Sequence, residues 1–129
     1  SLKFTYRSGY VGVDDSYNTK KIYSGDAPFK LFIQVNTVTD MSDYSFDQLQ
    51  AMLKQIARKD GELVKTENMK IISNDAVKFK ILTSENKMIY SLYIVVGNNL
   101  YDLILTANED VMDELGDYLF DEIIRSLEI

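Results

Sequence analysis

Asp14-Asp15, with Asp40 and Asp43 further on, are the first side chains whose types could do chemistry, because clustered carboxylates are hard oxygen ligands for a divalent cation. Their spacing fits neither an EF-hand nor a glycine-bracketed ligand loop, so solvated loop acids are the expectation. Ser8-Gly9 and Ser24-Gly25 offer hydroxyls without a nucleophile elbow, and the chain has no His and no Cys to supply an imidazole base or a thiol. Any chemistry would have to rest on carboxylates, Lys, Tyr or Ser. The pattern predicts no catalytic residue, no metal site and no cofactor site, and no Gly-rich phosphate loop is present. Tyr6, Tyr10, Tyr17 and Tyr23 form an N-terminal aromatic group suited either to an interface or to edge-strand packing.

The densest chemical signal is acidic. Glu109, Asp113, Asp117 and Asp121 recur at i, i+4, joined by Asp110 and Glu114. On a helix these carboxylates span a sector of about 140°, with Val111, Met112, Leu115, Tyr118, Leu119 and Ile123 on the opposite side. Like charges at i, i+4 cost roughly 0.2–0.5 kcal/mol each, so the face serves either solubility or docking of a cationic partner. Phe120, Ile124 and Leu127 fall in or beside the acidic sector, as an apolar patch rimmed by acids would. The candidate partner-binding residues are therefore Asp113, Asp117, Phe120, Asp121 and Ile124, facing a basic protein partner.

What must position these residues is one domain over 1–129, with 46% hydrophobic and 26% charged residues. A net charge of −6 argues against binding to nucleic acid or anionic lipid. Charge is uneven: residues 1–49 hold 5 basic and 6 acidic groups, 50–98 hold 8 and 5, and 99–129 hold 1 and 9. The most apolar stretch, "SLYIVVGNNLYDLILTANED" (91–110), is interrupted by Gly97, Asn98, Asn99 and Asp102, short of the roughly 18 apolar residues a spanning helix needs. No basic and apolar leader precedes the first strand, which suits either a cytoplasmic chain or a trimmed mature fragment.

Strands are predicted at "LKFTY" (2–6), "KKIYS" (20–24), "KLFIQVNTV" (30–38), "ELVKTENMKIIS" (62–73), "DAVKFKILT" (75–83) and "NKMIYSLYIVV" (86–96), with turns at Asn74-Asp75 and Ser84-Glu85-Asn86. "YSFDQLQAMLKQIARKDG" predicts a helix from a Ser45/Gln48 capping box, a Tyr44/Leu49 staple and a stop at Gly61. Its stripe is Phe46, Leu49, Leu53 and Ile56, with Met52 and Ala57 beside it. A second helix is expected over about 107–127, with Thr106 and Glu109 as its capping box. The basic groups Lys65, Lys70, Lys78 and Lys80 read as outer strand positions snorkelling over the sheet.

A turn centred on Asn98-Asn99 would pair Gly97 with Leu100 and set Asp102 opposite Val95. One face then carries Leu92, Ile94, Val96, Tyr101, Leu103 and Leu105, and the other Tyr93, Val95, Leu100 and Ile104. Neither face is polar, so the hairpin is expected to be central and covered on both sides. The fold class that follows is α+β: a mostly antiparallel sheet of about six strands sandwiched by two main helices in α/β/α layers.

The stretch "KIISNDAVKFKI" and the terminal "LFDEIIRSLEI" resemble the PsbP-like superfamily, which includes DcrB-like bacterial lipoproteins, the extrinsic PsbP subunit of photosystem II and a eukaryotic Ran-binding factor. The resemblance covers most of residues 30–129. It implies a non-catalytic binding or assembly domain, extracytoplasmic more readily than cytoplasmic, with any lipid anchor outside this fragment, and it carries over no site residue. The alternative is a small acidic intracellular protein, immunity or chaperone-like, that binds a basic partner.

Overall fold

The computed structural model describes residues 2–6, 9–13, 19–24, 31–38, 44–107 and 113–129, with side chains described for 2–5, 44–106 and 116–129. In chain order the elements are β1 (Leu2–Tyr6), β2 (Gly9–Val13), β3 (Thr19–Ser24), β4 (Leu31–Val38), α1 (Phe46–Asp60), β5 (Glu62–Ile71), β6 (Asn74–Leu82), β7 (Met88–Val96), β8 (Asn99–Ala107) and α2 (Asp113–Arg125). The fold is α+β. Strands β5 to β8 form an antiparallel meander, and the same ladder continues from β8 to β4 and from β4 to β3, giving the order β3-β4-β8-β7-β6-β5. Strands β1 and β2 pair separately. Strand β2 escaped sequence reading because Gly9 and Gly12 in "GYVGV" depress the strand signal.

Two turns sit one or two residues earlier than their sequence signals. The β5–β6 turn is centred on Ile72 and Ser73, with φ of 48° and 65°, while Asn74 already pairs with Ile71. Positive φ is costly for a β-branched residue. Asn74 offsets part of that cost, since its Nδ2 donates to the carbonyls of Ile71 (3.1 Å) and Ile72 (2.8 Å). The β7–β8 turn is centred on Gly97 and Asn98, so Val96 pairs with Asn99, Ile94 with Tyr101 and Leu92 with Leu103. Gly97 supplies the positive φ of 59° at the first central position, which a glycine-first hairpin turn requires. Moving the centre by one residue changes each partner by two, so face assignments survive. Asp102 therefore lies opposite Tyr93, not Val95.

The sheet has two apolar sides. Leu92, Ile94, Tyr101, Leu103 and Leu105 are buried in one cluster with Leu2, Phe4, Tyr90, Phe120 and Ile123, and Val96 packs against it. Val77, Phe79, Ile81 and Leu100 form the other cluster with Leu49, Leu53 and Ala57 of α1. A register shift between Leu63 and Lys65 makes Val64 the extra residue of a bulge. That is why Leu63 joins the α1 cluster while Met69 and Ile71, also odd-numbered, join the α2 cluster.

Helix α1 forms as its sequence dictates. Ser45 Oγ accepts from the Gln48 N–H at 3.2 Å and Gln48 Oε1 accepts from the Ser45 N–H at 3.1 Å, closing the capping box. Leu49, Leu53 and Ala57 are buried. Ile56 and Met52 are about half exposed, as is Tyr44, because the stripe turns toward Ala57 and leaves these residues on its flank. Gly61 ends the helix in extended backbone, where a Cβ would collide with the Leu82 carbonyl.

Helix α2 differs from expectation at both its start and its rotation. Thr106 is in β8, paired with Ile89 and Phe32, so it does not cap a helix, and Glu109 lies outside the described residues. Within α2 and just after it, Gly116, Phe120, Ile123 and Leu127 are buried while Tyr118, Glu122 and Arg125 are exposed. The core stripe thus borders the Asp117–Asp121 sector instead of opposing it. Phe120 and Leu127 belong to the core, not to a surface patch, and Ile124 packs against that core. Close approach fixes the rotation: a Cβ at Gly116 would strike the Tyr90 ring. Beyond α2 the chain is held by β1, where the Glu128 and Lys3 main chains exchange hydrogen bonds of 2.7 and 2.9 Å and Ser126 Oγ accepts from the Thr5 N–H at 2.8 Å.

Candidate functional site

Alternation along "AVKFKI" in β6 sends Val77, Phe79 and Ile81 toward α1, which leaves Lys78 and Lys80 on the α2 side. Neither lysine snorkels to open solvent: their side chains are 9% and 12% exposed. Lys78 Nζ donates to Asp121 Oδ1 at 2.8 Å and Lys80 Nζ to Asp117 Oδ2 at 3.2 Å. The ammonium groups also lie 5.9 Å from the Phe120 ring centroid and 5.7 Å from that of Tyr90. A buried ammonium is tolerated only with such partners, so the two pairs anchor α2. The spacings match: alternate residues on a strand lie roughly 6.6 Å apart and i, i+4 residues on a helix roughly 6 Å, so a Lys-x-Lys strand can meet an Asp-x-x-x-Asp helix in register.

The outer edge of this seam is the accessible part. The Asp117 and Asp121 side chains keep 43% and 50% of their surface, and Tyr118, next round the helix, is 58% exposed. Further round the helix, Arg125 pairs with Glu122 at 3.0 Å. Of the residues expected to bind a partner, Asp117 and Asp121 are thus brought together, whereas Phe120 and Ile124 serve the core and the side chain of Asp113 lies outside the described residues.

A second polar group sits on the α1 side of β7 and β8. Ser91 is buried and its Oγ donates to Asp102 Oδ1 at 2.9 Å, and Asp102 pairs across the ladder with Tyr93. Burial is the main cause that pushes the Tyr93 phenol well above its ordinary range, and the Asp102 carboxylate adds to it. The arrangement therefore holds a proton on Tyr93 and does not generate a tyrosinate base. Phe79 packs its ring edge-on to Tyr93 at 5.9 Å. Sequence reading missed the proximity of Asp102 to Ser91 and Tyr93 because it set Asp102 beside Val95.

A shallow groove of ≈ 330 Å³ runs from the first turn of α1 over β5, lined by Phe46, Asp47, Gln50, Asn68, Met69, Lys70 and Asp75. Gln50 Nε2 donates to Asn68 Oδ1 across it, and Lys70 pairs with Asp75 at 2.6 Å. Among the described residues no group of carboxylates is arranged to hold a metal ion, and no helix is long and apolar enough to cross a membrane. Asp14, Asp15, Asp40, Asp43, Ser8 and Tyr17 lie outside the described residues, as do the side chains of Tyr6, Tyr10, Tyr23 and Ser24.

No protein-family model matches the chain, and no curated protein matches it in sequence. Solved structures do match in fold. The crystal structure of PA94 from Pseudomonas aeruginosa, a protein of unknown function, superposes with a TM-score of 0.64 at 13% identity, covering 94% of each chain. The solution structure of the cyanobacterial PsbP, CyanoP, from Synechocystis superposes with a TM-score of 0.59 at 14% identity, over 100% of this chain and 92% of that one. The chain has a PsbP-like fold.

Proposed function

We propose that this chain is a non-catalytic binding or assembly domain, a PsbP-like α/β/α sandwich of about six strands, serving as the soluble part of a bacterial envelope or secreted protein. Any lipid anchor would lie outside residues 1–129. The observation that carries the reading is the exposed rim of α2, where Tyr118 lies next round the helix from the half-exposed carboxylates of Asp117 and Asp121, on the side of Glu122. An aromatic anchor between acids suits a Lys- or Arg-bearing protein surface, through cation–π contact and charge. Ion pairing with the sheet leaves one carboxylate edge of each Asp outward, so α2 is both anchored and presented.

Replacing the aspartates is a poor test, because it strands Lys78 and Lys80. The informative variants are Tyr118→Ala and Glu122→Lys, measured by calorimetric titration of a Lys/Arg-rich peptide at two salt concentrations. Binding that weakens in both variants, with melting unchanged, supports the reading. Equal binding by wild type and both variants sinks it. The acidic run of residues 99–129, with 9 acidic and 1 basic groups, also suits an intracellular acidic protein that neutralises a basic partner. Fractionation of source cells with an antibody against the chain separates the two: envelope recovery favours the first, cytoplasmic recovery the second.

A further inference from the structure

We propose that β5 is a self-association edge, along which a second copy of this chain pairs antiparallel about a two-fold axis through Thr66. Strand β5 ends the order β3-β4-β8-β7-β6-β5, and among the described residues no strand pairs with its outer side. An edge of this length presents a row of main-chain donors and acceptors to any partner strand. Proteins commonly blunt such edges with charge, and β5 carries Glu62, Lys65, Glu67 and Lys70. Here the signs are self-complementary. Laid against itself about Thr66, Lys65 meets Glu67 of the second copy and Glu67 meets its Lys65, while the bulge at Val64 sends Glu62 and Lys70 to opposite faces, so these two do not pair. This register brings the opposite charges of Lys65 and Glu67 together at both symmetric positions, which favours pairing.

The neighbouring strand adds to the case. Register places Lys65 beside Lys80 and Glu67 beside Lys78 within one copy, so Lys65 has a like-charged neighbour. Across the joined edge the row becomes Lys80, Lys65, Glu67, Lys78, with the second glutamate-lysine pair completing it by symmetry. Lys65 and Glu67 are 3.8 Å apart, with side chains 62% and 47% exposed, a loose pair that can exchange partners. Shape agrees with charge. The bulge leaves Val64 49% exposed, and in this register Val64 falls opposite Asn68, at the groove beside α1. The edge also lies within residues 50–98, where 8 basic groups meet 5 acidic ones, so two copies of net charge −6 approach through their least acidic segment. The inference rests on β5 alone and is independent of the docking role given to α2.

Sedimentation equilibrium of the chain over a wide concentration range tests it. The expected result is a shift from 14.8 kDa toward twice that mass as concentration rises. Lys65→Glu sets glutamate against glutamate at both symmetric contacts, and Glu67→Lys sets lysine against lysine. Each should weaken association by about tenfold or more. Mixing the two variants makes every contact opposite again and should restore association as a heterodimer, and the double variant should associate like wild type. Circular dichroism establishes that each variant is folded. A wild-type chain that stays monomeric throughout overturns the proposal, as do single variants that associate undiminished or a mixture no better than its components.

Discussion

The two sides of the sheet are held by different means. On the α1 side the helix starts at a capping box formed by Ser45 and Gln48 and lays Leu49, Leu53 and Ala57 on Val77, Phe79 and Ile81. Every determinant of that contact is either within one turn of sequence or a plain apolar stripe. On the α2 side the contact needs a glycine over the Tyr90 ring, two ion pairs between helix and strand, and a clasp between β1 and the residues after the helix. Each of these joins residues far apart in the chain. Locally encoded packing should tolerate single changes, whereas packing that depends on matched distant groups should fail when one partner is lost.

The largest test of that contrast is Phe120→Ala. Phe120 is fully buried at the centre of the α2 cluster, so its loss should cost about 3–5 kcal/mol by denaturant unfolding. Gly116→Ala should come next. Alanine is normally favoured over glycine in a helix by about 1 kcal/mol, yet here the Tyr90 ring must move, and a net loss of about 1–3 kcal/mol is expected. A stabilised Gly116→Ala variant would show that α2 can shift freely and would break the comparison. Asp121→Ala, which leaves Lys78 buried without its carboxylate, should cost about 1–3 kcal/mol, against about 1 kcal/mol for Ser45→Ala on the α1 side.

Tyr93 sharpens the comparison through pH. Its phenol titrates higher in the folded chain than when unfolded, so above about pH 10 the unfolded state binds fewer protons and stability falls as pH rises. The contribution is present below that pH and is lost toward the folded-state value, with a slope of up to about 1.4 kcal/mol per pH unit. Tyr93→Phe should show a shallower alkaline decline in thermal melts. The smallest effect is a gain: replacing Ile72-Ser73 by Asn-Gly suits the positive φ at both positions and should stabilise by about 1 kcal/mol.

Legibility followed the same division. The cap and stripe of α1 could be read because their signals lie within the helix itself. The side of the sheet taken by Leu92, Ile94, Tyr101, Leu103 and Leu105 could be read even though the turn centre was one residue off, because strand periodicity of two is insensitive to a two-residue change of partner. The partner of Asp102 was lost to that same shift, and with it the Ser91–Tyr93–Asp102 group. Lys78 and Lys80 alternate just as solvent-facing lysines do, and nothing local shows that a helix will lie over them. Asp117 and Asp121 of α2 do share a side, but the reading set that side opposite the core, because the helix carries apolar residues on more than one side.

By itself the sequence determined most of the strands, both helices in outline, the α+β class and the sides of the central hairpin, since these follow from short-range periodicity, while β2 and the start of α2 did not. Only the tertiary structure decided the rotation of α2, the burial of Phe120, and the pairing of Lys78 with Asp121 and Lys80 with Asp117. The reason is physical. An amphipathic period specifies that one side is buried but not which of two competing sides, and that choice is made by the steric fit of Gly116 on Tyr90 and by the need of buried ammonium groups for carboxylates.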